Sequence, residues 1–260
     1  MKVPPPPYVP GHDLLAGKNV LVTAAAGTGI GFAAAKRCIE EGARVMVSDI
    51  HERRLGEAVE KLTEVSGAAP ASHLCNVREE DDVQALIAAA IAELGHVDVL
   101  INNAGLGGTA SVVEMTDAQW YDVLEITLTG TFRMTRAMLP HMIERNAGVI
   151  VNNASVLGWR AQVGQAHYAA AKAGVMALTR CTALEVAEHG VRINAVAPSL
   201  ATHPFLAKVT PQDLLDELEA REAFGRGAEV WEVANVMVFL ASEYSSYMTG
   251  EVVSVSSQHP

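Results

Sequence analysis

Cysteine is scarce in this chain: three in 260 residues, Cys38, Cys75 and Cys181, with no two in C-x-x-C spacing. An odd, scattered set fits a reducing compartment and excludes a disulfide framework or a cysteine-held zinc site. Basic charge is also short. Nineteen Lys and Arg face thirty Asp and Glu, a formal charge of -11, and no Lys/Arg cluster occurs. Nucleic acid and anionic membranes both need a basic footprint, so neither is expected as a partner. Apolar stretches of the roughly 18 residues that a membrane span requires are missing. Pro4-Pro5-Pro6-Pro7 stands where a signal peptide would need its apolar core. The expectation is a cytoplasmic protein acting on a small molecule. Aromatic residues are only 5% of the chain while hydrophobic residues reach 50%. That balance, rich in Ala, Val, Leu and Gly, suits sheets covered on both faces by close-packed helices.

Residues 1–16 read as a Pro-rich, extended arm without a core of its own. From Lys18 onward, short apolar runs of β type alternate with longer stretches of helical period, the pattern of parallel βαβ units. Strands are expected at Asn19–Thr23, Ala43–Asp49, Val97–Asn102, Gly148–Asn152, Val191–Val196 and Gly250–Val255, with a weaker one near Ala71–Leu74. Helices are expected at Ile30–Glu41, Glu52–Val65, Glu79–Leu94, Asp117–Arg145, Gln165–His189 and Glu229–Ala241. Thr116 ahead of Asp117 and Gln119 reads as an N-terminal cap, and Gly42, Gly95 and Gly190 as helix stops. No linker or repeat divides residues 17–260. They read as a single α/β domain of parallel βαβ units with seven strands. The one long connection without a strand, residues 198–225, reads as a single elaborated loop.

After the first strand comes Thr23-Ala-Ala-Ala-Gly27-Thr28-Gly29-Ile30-Gly31, then a helix. Glycines there let backbone N–H groups approach a pyrophosphate, and a helix N-terminus favours negative charge. No Lys-Ser/Thr follows, which disfavours a P-loop. Asp49 stands 18 residues beyond Gly31, where a carboxylate accepts hydrogen bonds from an adenosine ribose and repels a 2′-phosphate. NAD is therefore expected over NADP. A second reading has Asp49 merely capping the helix near Glu52. Arg53 and Arg54 leave NADP open, although an exposed helix face is their expected place.

Tyr168 and Lys172 are spaced i, i+4, which puts them on one helix face, and Ser155 follows a strand 13 residues upstream of the tyrosine. A phenol with pKa near 10 is a poor base at neutral pH; a nearby ammonium stabilises its phenolate, and a serine hydroxyl can hold a substrate oxygen. Together with the glycine loop and Asn102-Asn103-Ala104-Gly105, these residues form a coherent set.

On these residues, with Asn194-Ala-Val-Ala-Pro198 and Tyr247-Met-Thr-Gly-Glu251, the chain resembles the short-chain dehydrogenase/reductase family from about Leu15 to Val255. The resemblance implies a Rossmann-like doubly wound parallel sheet of seven strands with helices on both faces, residues 198–225 as its substrate loop, a nicotinamide cofactor, and hydride exchange between a secondary alcohol and a ketone. By it, Tyr168 is the acid/base, Ser155 orients the carbonyl, and Lys172 lowers the tyrosine pKa while holding the nicotinamide ribose. Thr23, Ala25, Gly27, Thr28, Gly29, Ile30 and Gly31 would hold the dinucleotide with Asp49, Asn76, Val77, Asn103, Ala104, Gly105, Tyr168, Lys172 and Pro198, and Asn102 would line it near the central strand. Homodimers or homotetramers are common in the family, built on the last strand and the helix Val233–Leu240.

The departures matter as well. The first loop is one residue longer than usual, with Ala25 where its first glycine belongs. Asn76 replaces an aspartate, Thr127 aligns with the asparagine that anchors a relay water, Ser199 follows Pro198 in place of glycine, and Ser256-Ser-Gln-His-Pro260 lacks the frequent Asp-Gly-Gly. They keep two alternatives open: an NADPH-dependent 3-oxoacyl reductase, and a dinucleotide-binding sensor or scaffold with weakened catalysis. Leu106, Leu157, Trp159, Gln162, Phe205 and Leu206 fall where the family shapes its substrate pocket. Their apolar character suggests a bulky apolar or alicyclic alcohol or ketone, including one carried as an acyl thioester. Asp213–Phe224 reads as a lid helix, His167 as a residue of the pocket rim or surface, and His203 as a loop residue.

Overall fold

Strands whose side chains are apolar on both faces have none to give to water, and the seven runs assemble accordingly. The computed structural model describes residues 2–204, 206 and 212–257. The chain runs β1 (Asn19–Val22), α1 (Ile30–Glu40), β2 (Arg44–Asp49), α2 (Glu52–Ser66), β3 (Ala71–Leu74), α3 (Glu80–Leu94) and β4 (Val99–Asn102). It continues with α4 (Asp117–Leu124), α5 (Gly130–Arg145), β5 (Gly148–Asn153), α6 (Ala166–Val186) and β6 (Val191–Pro198). The last elements are β7 (Ala201–Thr202), α7 (Gln212–Ala220), β8 (Ala228–Glu229), α8 (Val230–Ala241) and β9 (Val252–Val255).

Seven strands form one parallel sheet in the order β3-β2-β1-β4-β5-β6-β9. Every residue of β1 and β4 is buried. Val20, Val22, Val99 and Ile101 pack with Ala34, Ala35 and Cys38 of α1 and with Val233, Met237 and Val238 of α8. Leu21, Leu100 and Ile150 pack on the other face with Leu86 and Ala90 of α3 and with Met134 and Met138 of α5. The chain reverses its winding between β1 and β4, and the crevice at the carboxyl ends of such strands is where this architecture receives ligands.

Two expectations about the elements are corrected. The stretch after Pro198 is not strandless: Ala201 and Thr202 pair in parallel with Ala228 and Glu229 in a small second sheet. Asp117–Arg145 is not one uniform helix either. It opens with the capping box foreseen at Thr116, whose hydroxyl accepts from Gln119 N at 3.2 Å while Gln119 Oε1 accepts from Thr116 N at 2.9 Å. Its middle, Glu125–Thr129, is a wider π-turn between α4 and α5. Such turns gather at functional positions, and this one carries Thr127. No helix among the described residues is long and apolar enough to cross a membrane.

The arm carries no helix or strand over residues 2–13; Val3 is held by Phe224 and Arg226, and the later part lies along α1. At Gly11 it passes so close that a Cβ would lie 2.0 Å from Glu40 O. Tyr8 stacks edge-on against Trp231 at 5.3 Å and lies under Lys36 Nζ at 4.6 Å. Glu41, 1% exposed, is the anchor. One carboxylate oxygen pairs with Arg37 Nη2 at 2.5 Å, and the other accepts from His12 N at 2.8 Å and Leu14 N at 3.1 Å. Removing one partner of a buried pair costs about 3–5 kcal/mol because the other charge stays behind. Glu41→Ala is therefore expected to lower stability by that amount in urea titration and to expose residues 2–14 to protease in the native state. A loss under about 1 kcal/mol would refute the anchor.

Candidate active site

The glycine loop leaves β1 at Thr23 and enters α1 at Gly29. Gly31 is irreplaceable on steric grounds, since a Cβ there would stand 2.3 Å from both Ala24 O and Asn103 Nδ2. Ala25, standing where the family's first glycine belongs, does not adopt the left-handed conformation. The left-handed residue is instead Ala24, at φ 49°, followed by Gly27 at 97°. Ala25 is buried and donates to Ser48 O at 3.0 Å, which ties the loop to the end of β2.

Asparagines at two adjacent strand ends hold this loop. Asn102 and Asn152 face each other in the β4–β5 register, and Asn102 Nδ2 donates to Asn152 Oδ1 at 2.9 Å and to Thr135 Oγ1 at 3.2 Å. Asn102 is thus buried between β5 and α5 and is not among the residues lining the larger of the two clefts at the site. Their neighbours do the positioning. Asn103 Nδ2 donates to Ala24 O at 3.0 Å and Thr23 O at 3.3 Å, while Asn153 Nδ2 donates to Asn103 Oδ1 at 2.9 Å. Lys172 Nζ donates to Asn153 O at 2.5 Å. Thr23 Oγ1 accepts from Asn103 N at 3.0 Å and Ala104 N at 3.2 Å.

Ser155, at the start of the turn after β5, and Tyr168, on the first turn of α6, hydrogen-bond through their hydroxyls. Lys172 lies one turn on, its Nζ 5.5 Å from the Tyr168 ring centroid. Burial pushes the phenol up to about 12, opposed by the Ser155 hydrogen bond, and pushes the ammonium down from 10.5 to about 8. The fold therefore brings the trio together without itself lowering the phenol pKa. Thr127 is fully buried; its hydroxyl accepts from Leu106 N at 3.0 Å and donates to Leu106 O at 3.2 Å. Thr127 Oγ1 and Lys172 Nζ lie 3.6 Å from one shared point, where a Cβ on Gly105 would sit.

Two clefts meet this constellation. The larger, about 450 Å3, is lined by Ala24, Asp49, Arg54, Asn76, Val77, Ala104, Gly105 and Leu106 among others. Asp49 does not cap α2: its Oδ1 accepts from His51 N at 3.0 Å and its Oδ2 from Ala26 N at 3.2 Å, with burial raising its pKa against these bonds and Arg54. Asn76 Oδ1 is engaged by Arg78 N at 3.2 Å. Arg53 pairs outward with Glu57, whereas Arg54, expected on the exposed face, lines the cleft. The smaller cleft, about 190 Å3, holds Ser155, Leu157, Arg160, Gln162, Tyr168, Ser199, Leu200, Leu218 and Arg221. Pro198 is buried at the end of β6 beside it, in register with Val255. Trp159 stands outside, half exposed, and Phe205 lies outside the described residues.

His167 is not at the surface; it is buried, with Nε2 3.2 Å from where a Cβ on Gly108 would be. Sequence reasoning assigned no role to Ala26, Asn152, Asn153 or the pocket arginines Arg160 and Arg221. The doubled Asn-Asn at 102–103 and 152–153 was a usable signal for the lattice, while the two arginines, each in an irregular segment, left none.

A dinucleotide fits these residues: a loop that only glycine at 31 permits, an uncapped helix start, and a cleft whose lining includes a carboxylate. The family model described as enoyl-(acyl carrier protein) reductase matches residues 24–257. The chain belongs to the short-chain dehydrogenase/reductase family, whose members bind a nicotinamide dinucleotide, and is an oxidoreductase acting on a ketone or alcohol. A Mycobacterium tuberculosis protein, (5R,7aS)-5-hydroxy-7a-methyl-1-oxo-2,3,5,6,7,7a-hexahydro-1H-indene-carboxyl-CoA reductase, is 59% identical over 256 residues and covers 98% of each chain. A short-chain dehydrogenase from Mycobacterium smegmatis superposes with a TM-score of 0.87 at 55% identity over 98% of each chain. An actinorhodin polyketide ketoreductase solved with NADPH gives a TM-score of 0.88 at 35% identity, over 92% of this chain and 96% of that one.

Lys172 has a readable signature. Its unfolded-state pKa of 10.5 exceeds the folded value of about 8, so the unfolded chain binds more protons between them and stability rises with pH across that window. Cys38 and Cys75, raised from 9 to about 12, pull the other way above pH 9, so the parent must be compared with Lys172→Met. The variant's stability relative to the parent should fall by about 3 kcal/mol between pH 7.5 and 10.5 in urea titrations. A pH-independent difference would contradict a buried, titrating Lys172.

Proposed function

We propose that the chain exchanges a hydride between NAD(H) and a bulky alicyclic ketone or secondary alcohol carried as an acyl thioester. The observation carrying this reading is the Ser155–Tyr168 hydroxyl pair beside Lys172, opening on a cleft lined by Leu157, Leu200 and Leu218. The ring-acyl-CoA specificity named for the Mycobacterium tuberculosis relative supports the substrate class.

The bound dinucleotide would supply the hydride and, when oxidised, a positive charge. In the reducing direction Ser155 holds the carbonyl oxygen, and Tyr168 gives its phenolic proton to that oxygen as carbon gains the hydride. The charge left on the phenolate is met by the Lys172 ammonium. Lys172, fixed by Asn153 O, would hold the nicotinamide ribose with its remaining donors. Thr127 stands in the place of a relay residue, but its one hydroxyl proton is used on Leu106 O. Its role is to hold Gly105 and Leu106 against Lys172.

For the choice of dinucleotide, Asp49 in the cleft lining supports NAD, since a carboxylate repels a 2′-phosphate. Arg54 in the same cleft and the NADPH-bound neighbour favour a second reading, NADP. A ring-ketone acyl-CoA assayed with each reduced cofactor tests both. NADH is expected to give the higher kcat/KM, and Asp49→Ala to move the preference toward NADPH by at least about tenfold, the size of one charge-assisted hydrogen bond. Tyr168→Phe should lower turnover by about 10²–10⁴-fold, the range of a lost general acid, with NADH still bound. Turnover unchanged in Tyr168→Phe would sink the assignment.

A further inference from the structure

We propose that residues 2 and 3 of the N-terminal arm position one wall of the substrate cleft, an inference that rests on the smaller cleft receiving the ketone. Leu218 and Arg221 line that cleft together with Ser155 and Tyr168. They stand on α7 and in the turn that follows it, and α7 has little of its own to fix them: Leu215 is its one buried residue. The turn is tied at its far end, where Ala223 N donates to Ser257 O at 3.0 Å and Ser257 Oγ donates to Glu222 Oε2 at 2.8 Å. The helix itself is reached by the arm.

Lys2 Nζ pairs with Glu219 Oε2, next to Leu218 in the chain, and Asp216 one turn back adds to the attraction. Val3 N donates to Phe224 O at 2.9 Å, and Val3 O accepts from Arg226 Nε at 2.9 Å. Arg226 is itself held: Nη1 and Nη2 donate to the two carboxylate oxygens of Glu232 on α8, at 2.7 and 3.0 Å. Further along, the arm is fixed to the body of the fold. Tyr8 packs on Trp231, Arg37 Nη1 donates to Val9 O at 3.0 Å, and Glu41 takes the N–H groups of His12 and Leu14. Pro4 to Pro7 join the two ends, and a proline run favours a stiff spacer that loses little freedom on being held. Residues 2 and 3 thus tie a helix with one buried side chain to α1 and α8, and set where Leu218 and Arg221 stand in the cleft that holds Tyr168.

The test is the full chain carrying Lys2→Glu with Val3→Pro, which puts like charge against Glu219 and removes the donor to Phe224 O. Amides of residues 213–224 should exchange hydrogen about tenfold faster by mass spectrometry, with those of α1 unchanged. The KM of a ring-ketone acyl thioester should rise about fivefold, with kcat and the NADH dissociation constant within about twofold, the pattern of binding lost equally from ground and transition states. The smaller KM rise of Lys2→Glu alone, about two- to threefold, should be reversed by adding Glu219→Lys. Unchanged exchange would overturn the tie, and faster exchange with an unchanged KM would overturn its role at the cleft. So would an equal rise in the NADH constant, or a Lys2→Glu defect that Glu219→Lys fails to relieve. A parent that reduced no ring ketone would instead sink the reading of the cleft, while the exchange rates would still decide on the tie.

Discussion

The active-site arrangement depends on a short run of amide hydrogen bonds across the carboxyl ends of β1, β4 and β5. Asn103 holds the carbonyls of Thr23 and Ala24, Asn153 holds Asn103, and the carbonyl of Asn153 holds Lys172. Each bond alone is ordinary. In series they make the position of the glycine loop and the position of the Lys172 ammonium one geometric fact. They also satisfy polar groups that the sheet would otherwise bury at a cost of about 1–3 kcal/mol apiece. A loop bearing the positive φ of Ala24 keeps its path because its carbonyls are pinned from the next strand. On the far side of the same crevice, Thr127 pins Leu106 through both its donor and its acceptor.

The fold supplies position and desolvation more than it supplies activation. Burial drives the phenol to about 12 and the ammonium to about 8, each away from its charged form. A site prepared this way reacts only where added charge reverses the balance, which suits chemistry tied to a cationic nicotinamide. Catalytic sites are often kept at such a cost in stability, and the anchoring of the arm through Glu41 and Arg37 sits at the opposite end of α1, away from the cleft.

Much of this was legible in the residues. Alternation of β-type and helical runs foretold the seven-stranded sheet, and Ser155, Tyr168 and Lys172 are assembled as their spacing and flanking elements required. What stayed hidden depends on contacts between distant segments. Nothing local in Ala201-Thr202 marks a strand, because its partner lies 27 residues away. Arg54 and Arg53 are neighbours with opposite fates, decided by which side of α2 faces the cleft. His167 points about 100° away from Tyr168 on the helix, which suggests the pocket rim or solvent, yet it is buried with Gly108 beside it. The extra residue of the glycine loop could be counted in the sequence, but where its strain falls depends on the carbonyls that Asn103 captures.

A double-mutant cycle between Asn103→Ala and Asn153→Ala, read as kcat/KM of the reduction, tests most directly whether these amides act in series. If they do, the second substitution adds little once the first is made, with a coupling of about 1–3 kcal/mol. Losses that add to within about 0.5 kcal/mol would show that the loop and Lys172 are positioned independently, and would contradict the account.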